Sequence, residues 1–242
     1  MQRVYLRYSY LHCMITELES LLIKNKPDFH PVVDFDPLNE KLVHLDFTSA
    51  NTELSISDVS DTTAFSKYIN NKLVSTGAKF GIGGYNENRT LYRRSELFNG
   101  EEARSVHLGI DIWGPAGTKL YAPLGGVIHS FAFNDNFGDY GATLILQHQL
   151  DRITFHTLYG HLSLHDIAGL HEGSYIIRGQ EIGHFGEARE NGNWPPHLHF
   201  QVIKDMELKE GDYPGVCSLS ERQKYLLNCP DADLVLDMMK YL

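Results

Sequence analysis

Three short stretches of the chain hold side chains able to bind a metal or move a proton: His107 with Asp111, His161, and His197 with His199. His107 and Asp111 are four residues apart, a spacing that puts both on one face of either a helix or a strand. Gly109 separates Leu108 from Ile110, and Gly114-Pro115 follows closely, which predicts a strand. His107, Gly109 and Asp111 then share a polar face, while Val106, Leu108, Ile110 and Ile112 share an apolar one. In HLHFQV the same alternation sets His197, His199 and Gln201 against Leu198, Phe200 and Val202. Two imidazoles at i and i+2 can point at one metal or at one bound substrate. Histidine with a carboxylate is an ordinary donor set for zinc, and a site with three protein ligands keeps a position open for water.

The elements that must position these groups fall into three stretches. Ile15, Leu18, Leu21 and Leu22 recur at helical spacing and predict a short amphipathic helix from about Met14 to Ile23. A second helix is expected from Asp58 or Ser60, through Phe65, Tyr68, Ile69 and Leu73, to a stop at Gly77. The glycine-rich AKFGIGGYNENRTLYRRSELFNGEEARS reads as a structured loop. From Val106 onward, short β-rich runs bounded by Gly, Pro, Asn or Asp follow one another, with His161 ending the run that begins at Arg152. The tail from Ser218 to Leu242 reads as helical, broken at Pro230. The expectation is a mainly β protein with an open antiparallel β-sheet or sandwich core. It would comprise an N-terminal helical extension (1–75), a β domain (76–205) and a C-terminal helical tail (206–242).

A chain of 242 residues, 42% hydrophobic and 21% charged, can bury a substantial core. Its formal net charge of -10 argues against nucleic acid as a partner. Cys13, Cys217 and Cys229 are too few and too scattered for a disulfide framework and read as reduced thiols. No secretory signal pattern opens the chain and nowhere do 18 apolar residues run together, so the expectation is a cytoplasmic protein without a transmembrane segment. His12, His30, His44, His129, His165, His171 and His184 are expected to be surface or satisfied core residues, with His148 and His156 left open. Arg89, Arg93 and Arg94, among Tyr85 and Tyr92, suggest a flap in which an arginine holds a substrate carboxylate.

The stretches HLGIDIWGPAGTKLYAPLGGVIHSFAFNDNFGDYGATLILQHQ, TLYGHLS and GSYIIRGQEIGHFGEARENGNWPPHLHFQV together resemble the lysostaphin-type, LytM-like metallopeptidase domain, from about Arg104 to Ile203. The resemblance implies an open β-sheet fold of the duplicated hybrid type and one zinc ion per chain. It assigns His107, Asp111 and His199 as ligands and His161 and His197 as the catalytic pair. The implied substrate is a peptide, in peptidoglycan stem peptides or cross-bridges. The run GEARENGNWPP before His197 departs from the short Gly/Ser/Thr-rich run usual there, so Trp194 and its two prolines should narrow the substrate rim. Two other expectations stand beside this one: a catalytically silent domain that binds wall fragments or a protein, and a zinc amidohydrolase of a cytoplasmic metabolite.

Overall fold

The computed structural model describes residues 15–89 and 102–242. Arg93 and Arg94 lie outside the described residues, as do His12 and Cys13. In chain order the helices are α1 (Glu17–Asn25), α2 (Ile56–Ser60), α3 (Thr62–Thr76), α4 (Leu164–Ile167), α5 (Arg222–Asn228) and α6 (Asp233–Leu236). The strands are β1 (Leu42–His44), β2 (Phe80–Gly83), β3 (Arg104–His107), β4 (Ile110–Trp113), β5 (Lys119–Tyr121) and β6 (Gly126–Asn134). They continue with β7 (Gly141–Leu150), β8 (Ile153–Leu162), β9 (Tyr175–Ile176), β10 (Glu181–His184), β11 (His197–Ile203) and β12 (Val216–Ser218).

An eight-stranded sheet in the order β1-β2-β4-β11-β8-β7-β6-β9 carries most of the chain, and every pairing within it is antiparallel except β1 with β2. Two ribbons, β10-β5 and β12-β3, lie beside it. One sheet face buries Ile110, Ile112, Leu144, Leu146, Leu198 and Phe200 in the main core. The alternation read from the sequence thus sends the apolar half of β4 and β11 inward and leaves Asp111, His197 and His199 on the other face.

The helices follow their capping signals. Thr16 and Glu19 form a reciprocal capping box at the start of α1, which buries Leu18 and Leu22. Asp61 caps α3, and Gly77 ends it in the left-handed conformation at φ 65°.

Three local expectations need correction. The stretch read as a loop after Gly77 contains β2, an internal strand of the main sheet. Its glycines hide the strand signal because neighbours occupy the space a side chain would need. A Cβ on Gly81 would stand 2.4 Å from Leu45 Cδ1, and one on Gly83 would stand 2.6 Å from the Arg89 guanidinium. The N-terminal stretch read as helical contributes β1 to the same sheet, and the C-terminal stretch contributes β12, which pairs with β3. His107 and Asp111 lie on two strands, β3 and β4, instead of one. The strand is interrupted at Leu108-Gly109, and a Cβ on Gly109 would come within 2.5 Å of the Phe200 carbonyl and 2.8 Å of the His199 ring. Cys217 and Cys229 are free and buried, as expected of reduced thiols. No helix among the described residues is long and apolar enough to cross a membrane.

Candidate metal centre

His107 enters the site from the β3-β12 ribbon, and Asp111 and His199 sit directly opposite one another on β4 and β11. His107 Nε2 lies 3.0 Å from His199 Nδ1 and 3.2 Å from Asp111 Oδ1, and His199 Nδ1 lies 3.0 Å from the same Oδ1. Among the described residues these three are the only group of His, Cys, Asp or Glu side chains close enough to hold one ion.

The tautomers determine what the triangle could hold. The remaining nitrogen of His107, Nδ1, is 3.1 Å from the Gly84 carbonyl and must donate to it. His199 Nε2 donates to Gln201 Oε1 at 2.9 Å. The Gln201 amide is itself oriented, because its Nε2 donates to the Pro214 carbonyl at 3.1 Å. Both imidazoles therefore turn a lone pair toward a carboxylate oxygen, and three electron-rich atoms face each other in a buried space. Ligand atoms on a tetrahedral zinc with bonds of about 2 Å stand roughly 3.3 Å apart, close to the spacing found here. The residues present fit the ion.

Electrostatics keep His107 and Asp111 in their binding forms. Burial, with Arg89 adding to it, pushes His107 down to about 4 against the pull of Asp111. Burial alone would raise the Asp111 carboxyl, but its imidazole and guanidinium neighbours hold it well below the usual carboxylate range. The Arg89 guanidinium donates to Asp111 Oδ2 and, through Nε, to Glu87 Oε2 at 2.6 Å. Arg89 is only 2% exposed and lines the cavity beside the triangle with its guanidinium paired to two carboxylates of its own chain.

His161 and His197 complete the floor of a cavity of about 140 Å³, whose walls include Trp113, Tyr140, Trp194 and Tyr213. His161 Nδ1 donates to the Asn191 carbonyl at 2.9 Å and His197 Nδ1 to the Pro195 carbonyl at 2.8 Å, leaving Nε2 as the basic atom of each ring. The two ring centroids are 4.0 Å apart. Burial pushes His197 down to about 3, and burial with the nearby His197 drives His161 well below its ordinary value.

His161 reaches this position by breaking the strand rule. On β8 it follows Gly160, which is paired with His199, so simple alternation would aim it into the core. Instead its φ is 64°, beside a register shift in the β7-β8 ladder, and the ring turns into the cavity. Trp194 also joins the cavity wall, its backbone N–H donating to Asn191 Oδ1 at 3.0 Å.

Of the remaining histidines, none of His30, His44, His129, His165, His171 or His184 lines the cavity. His148 is a structural residue bridging the Gly125 carbonyl and Thr157 Oγ1. Sequence reading did not single out Trp113 or assign Gln201 a task. Both stand two residues beyond a metal-site residue on an alternating strand, which is the signal that marks them.

Residues 105–210 match the family model of Peptidase family M23. Among solved structures, a zinc-containing peptidase from Vibrio cholerae is 27% identical over 49% of this chain and 31% of its own, with a TM-score of 0.36. The alignment thus spans less than a third of that protein. The catalytic domain of the antimicrobial peptidase lysostaphin from Staphylococcus simulans is 22% identical over 66% of this chain and 97% of its own, at a TM-score of 0.39. A chain of a SpoIIIAH–SpoIIQ complex aligns at 19% identity over 52% of this chain and 86% of its own, at 0.38. No curated protein matches the chain. The family model spans the His107, Asp111, His161, His197 and His199 motifs in order, so this stretch of the chain, 105–210, is similar to Peptidase family M23.

Proposed function

We propose that this chain is a zinc metallopeptidase that hydrolyses peptide bonds in peptidoglycan stem peptides, cross-bridges or a related small peptide. The observation that carries the reading is the buried triangle of His107 Nε2, His199 Nδ1 and Asp111 Oδ1, all within 3.2 Å of one another, with two further lone-pair nitrogens in the same cavity. When bound, zinc would supply Lewis acidity toward a carbonyl and lower the pKa of a water.

The remaining work falls to the chain's own side chains. His161 and His197 present unprotonated Nε2 atoms, so either can take a proton from an attacking water and return one to the leaving amine. Their Nδ1 hydrogen bonds to fixed backbone carbonyls prevent ring rotation and stabilise the imidazolium that forms. Burial of all five groups excludes bulk water, which strengthens each charge interaction during turnover. A silent binding domain would have no physical need for this set of aligned lone pairs.

The test is metal analysis of freshly purified protein, followed by zinc-loaded assays on peptidoglycan fragments, glycyl oligopeptides and small non-peptide amides side by side. One zinc per chain and peptide hydrolysis abolished by chelation are expected. Absence of any divalent metal, with none taken up in titration at neutral pH, would sink the enzymatic reading. Cleavage of the small amides alone would move the substrate to a metabolite.

A further inference from the structure

Trp113 stands two residues beyond Asp111 on β4 and directly opposite His197 on β11. Its indole lies flat on the His197 imidazole, with centroids 3.8 Å apart and planes 12° apart. The His161 ring lies against the same imidazole with centroids 4.0 Å apart and planes tilted by 30°. Two rings at these distances cannot share one face of an imidazole, so His197 is held between them.

The indole is itself braced from the N-terminal part of the chain. Phe47 meets it edge-on at 5.5 Å and Phe65 lies tilted at 5.5 Å. Trp113 is 1% exposed, yet among the described residues its Nε1 has no hydrogen-bond partner. A buried indole ordinarily satisfies that N–H, and leaving it unmade costs stability. The ring is therefore not anchored by its polar edge, and what its placement supplies is a flat face against His197.

We propose that Trp113 is a positioning residue that acts through His197. The stack fixes the plane of the imidazole, and the Nδ1 bond to the Pro195 carbonyl at 2.8 Å fixes its rotation within that plane. Together they set the direction of the Nε2 lone pair before a substrate arrives, the kind of preorganisation on which proton transfer depends. The proposal rests on the reading of His197 as a proton-handling group.

Three variants of the full, zinc-loaded chain test it, with solubilised peptidoglycan fragments as substrate. Trp113→Phe keeps a flat face and removes the unpartnered N–H, so kcat should stay within about threefold of wild type. Trp113→Leu fills space without a flat face and should lower kcat about tenfold with KM and zinc content unchanged. In an His197→Ala background, adding Trp113→Leu should change kcat by less than about twofold, because the group it positions is gone. A parallel readout needs no substrate. In protein labelled at histidine, the His197 ring protons should be shifted upfield by the indole in wild type, and Trp113→Leu should abolish that shift.

An equal loss from Trp113→Leu with and without His197 would overturn the proposal, as would wild-type kcat in Trp113→Leu. If Trp113→Leu fails to fold, Trp113→Met takes its place in both measurements. Full activity in His197→Ala is a separate failure: it removes the catalytic reading of His197 while the ring-current result still reports whether the stack exists.

Discussion

The Arg89 guanidinium occupies Oδ2 of Asp111, so that the carboxylate turns only Oδ1 toward His107 and His199. Two effects oppose each other in this pair. Positive charge beside the ligand weakens the pull on a cation, whereas a locked carboxylate needs no reordering to bind one. Groups that orient metal ligands usually matter by about 10–100-fold in affinity, so positioning is expected to win. Arg89→Met should weaken zinc binding by about that factor in a chelator competition, and Arg89→Lys should fall between. Tighter binding by Arg89→Met would show that charge dominates.

The five central residues should divide into two groups by metal content. His107→Ala, Asp111→Ala and His199→Ala each remove one of the three proposed protein ligands and should lose stoichiometric zinc. His161→Ala and His197→Ala should keep the metal and lower turnover by about a hundredfold or more. Retention of zinc by His199→Ala with its loss from His197→Ala would reverse the assignment along β11.

The left-handed backbone at His161 makes a stability prediction of unusual sign. At most strand positions glycine is less stable than alanine, but at φ 64° the Cβ is the strained group. His161→Gly should therefore be more stable than His161→Ala by about 1 kcal/mol in denaturant unfolding, although both lose activity. The reverse order would mean that the surrounding ladder imposes no strain at this residue.

Burial pushes His148, outside the metal centre, down to about 4. The unfolded chain, with an ordinary histidine value near 6.5, binds more protons than the native one between those two values. Stability from this group is thus complete above about pH 6.5 and is lost as pH falls through about 4. The full loss amounts to about 3 kcal/mol. Subtracting the pH–stability curve of His148→Gln from that of wild type should isolate this step. A flat difference would show that His148 is not held neutral.

The periodicity of HLGIDI and HLHFQV made the polar face of β4 and β11 legible, because a strand repeats every two residues and the apolar partners mark the opposite side. What could not be read depends on contacts between distant residues. The strand at Phe80–Gly83 carries glycines because Leu45 and Arg89 fill the space above them. The break between His107 and Asp111 follows from the approach of Gly109 to Phe200 and His199, about ninety residues later. Arg89 looks like a surface arginine until Asp111 is placed beside it. His161 obeys no alternation at all, since its direction comes from a backbone angle that local sequence does not announce.

The separation of His107 on the β3-β12 ribbon from Asp111 and His199 on the main sheet gives any bound ion a mechanical task. It would add a tether between two sheets that are otherwise joined here by the short Leu108-Gly109 connection, by backbone hydrogen bonds from the segment after β2 to β3, and by side-chain packing, much as a cross-link restricts a chain. Chelation should accordingly speed amide hydrogen exchange along Arg104–His107 and Val216–Ser218 while leaving the centre of β7 and β8 protected. Metal supply would then govern how firmly one edge of the molecule is fastened as well as whether it can react.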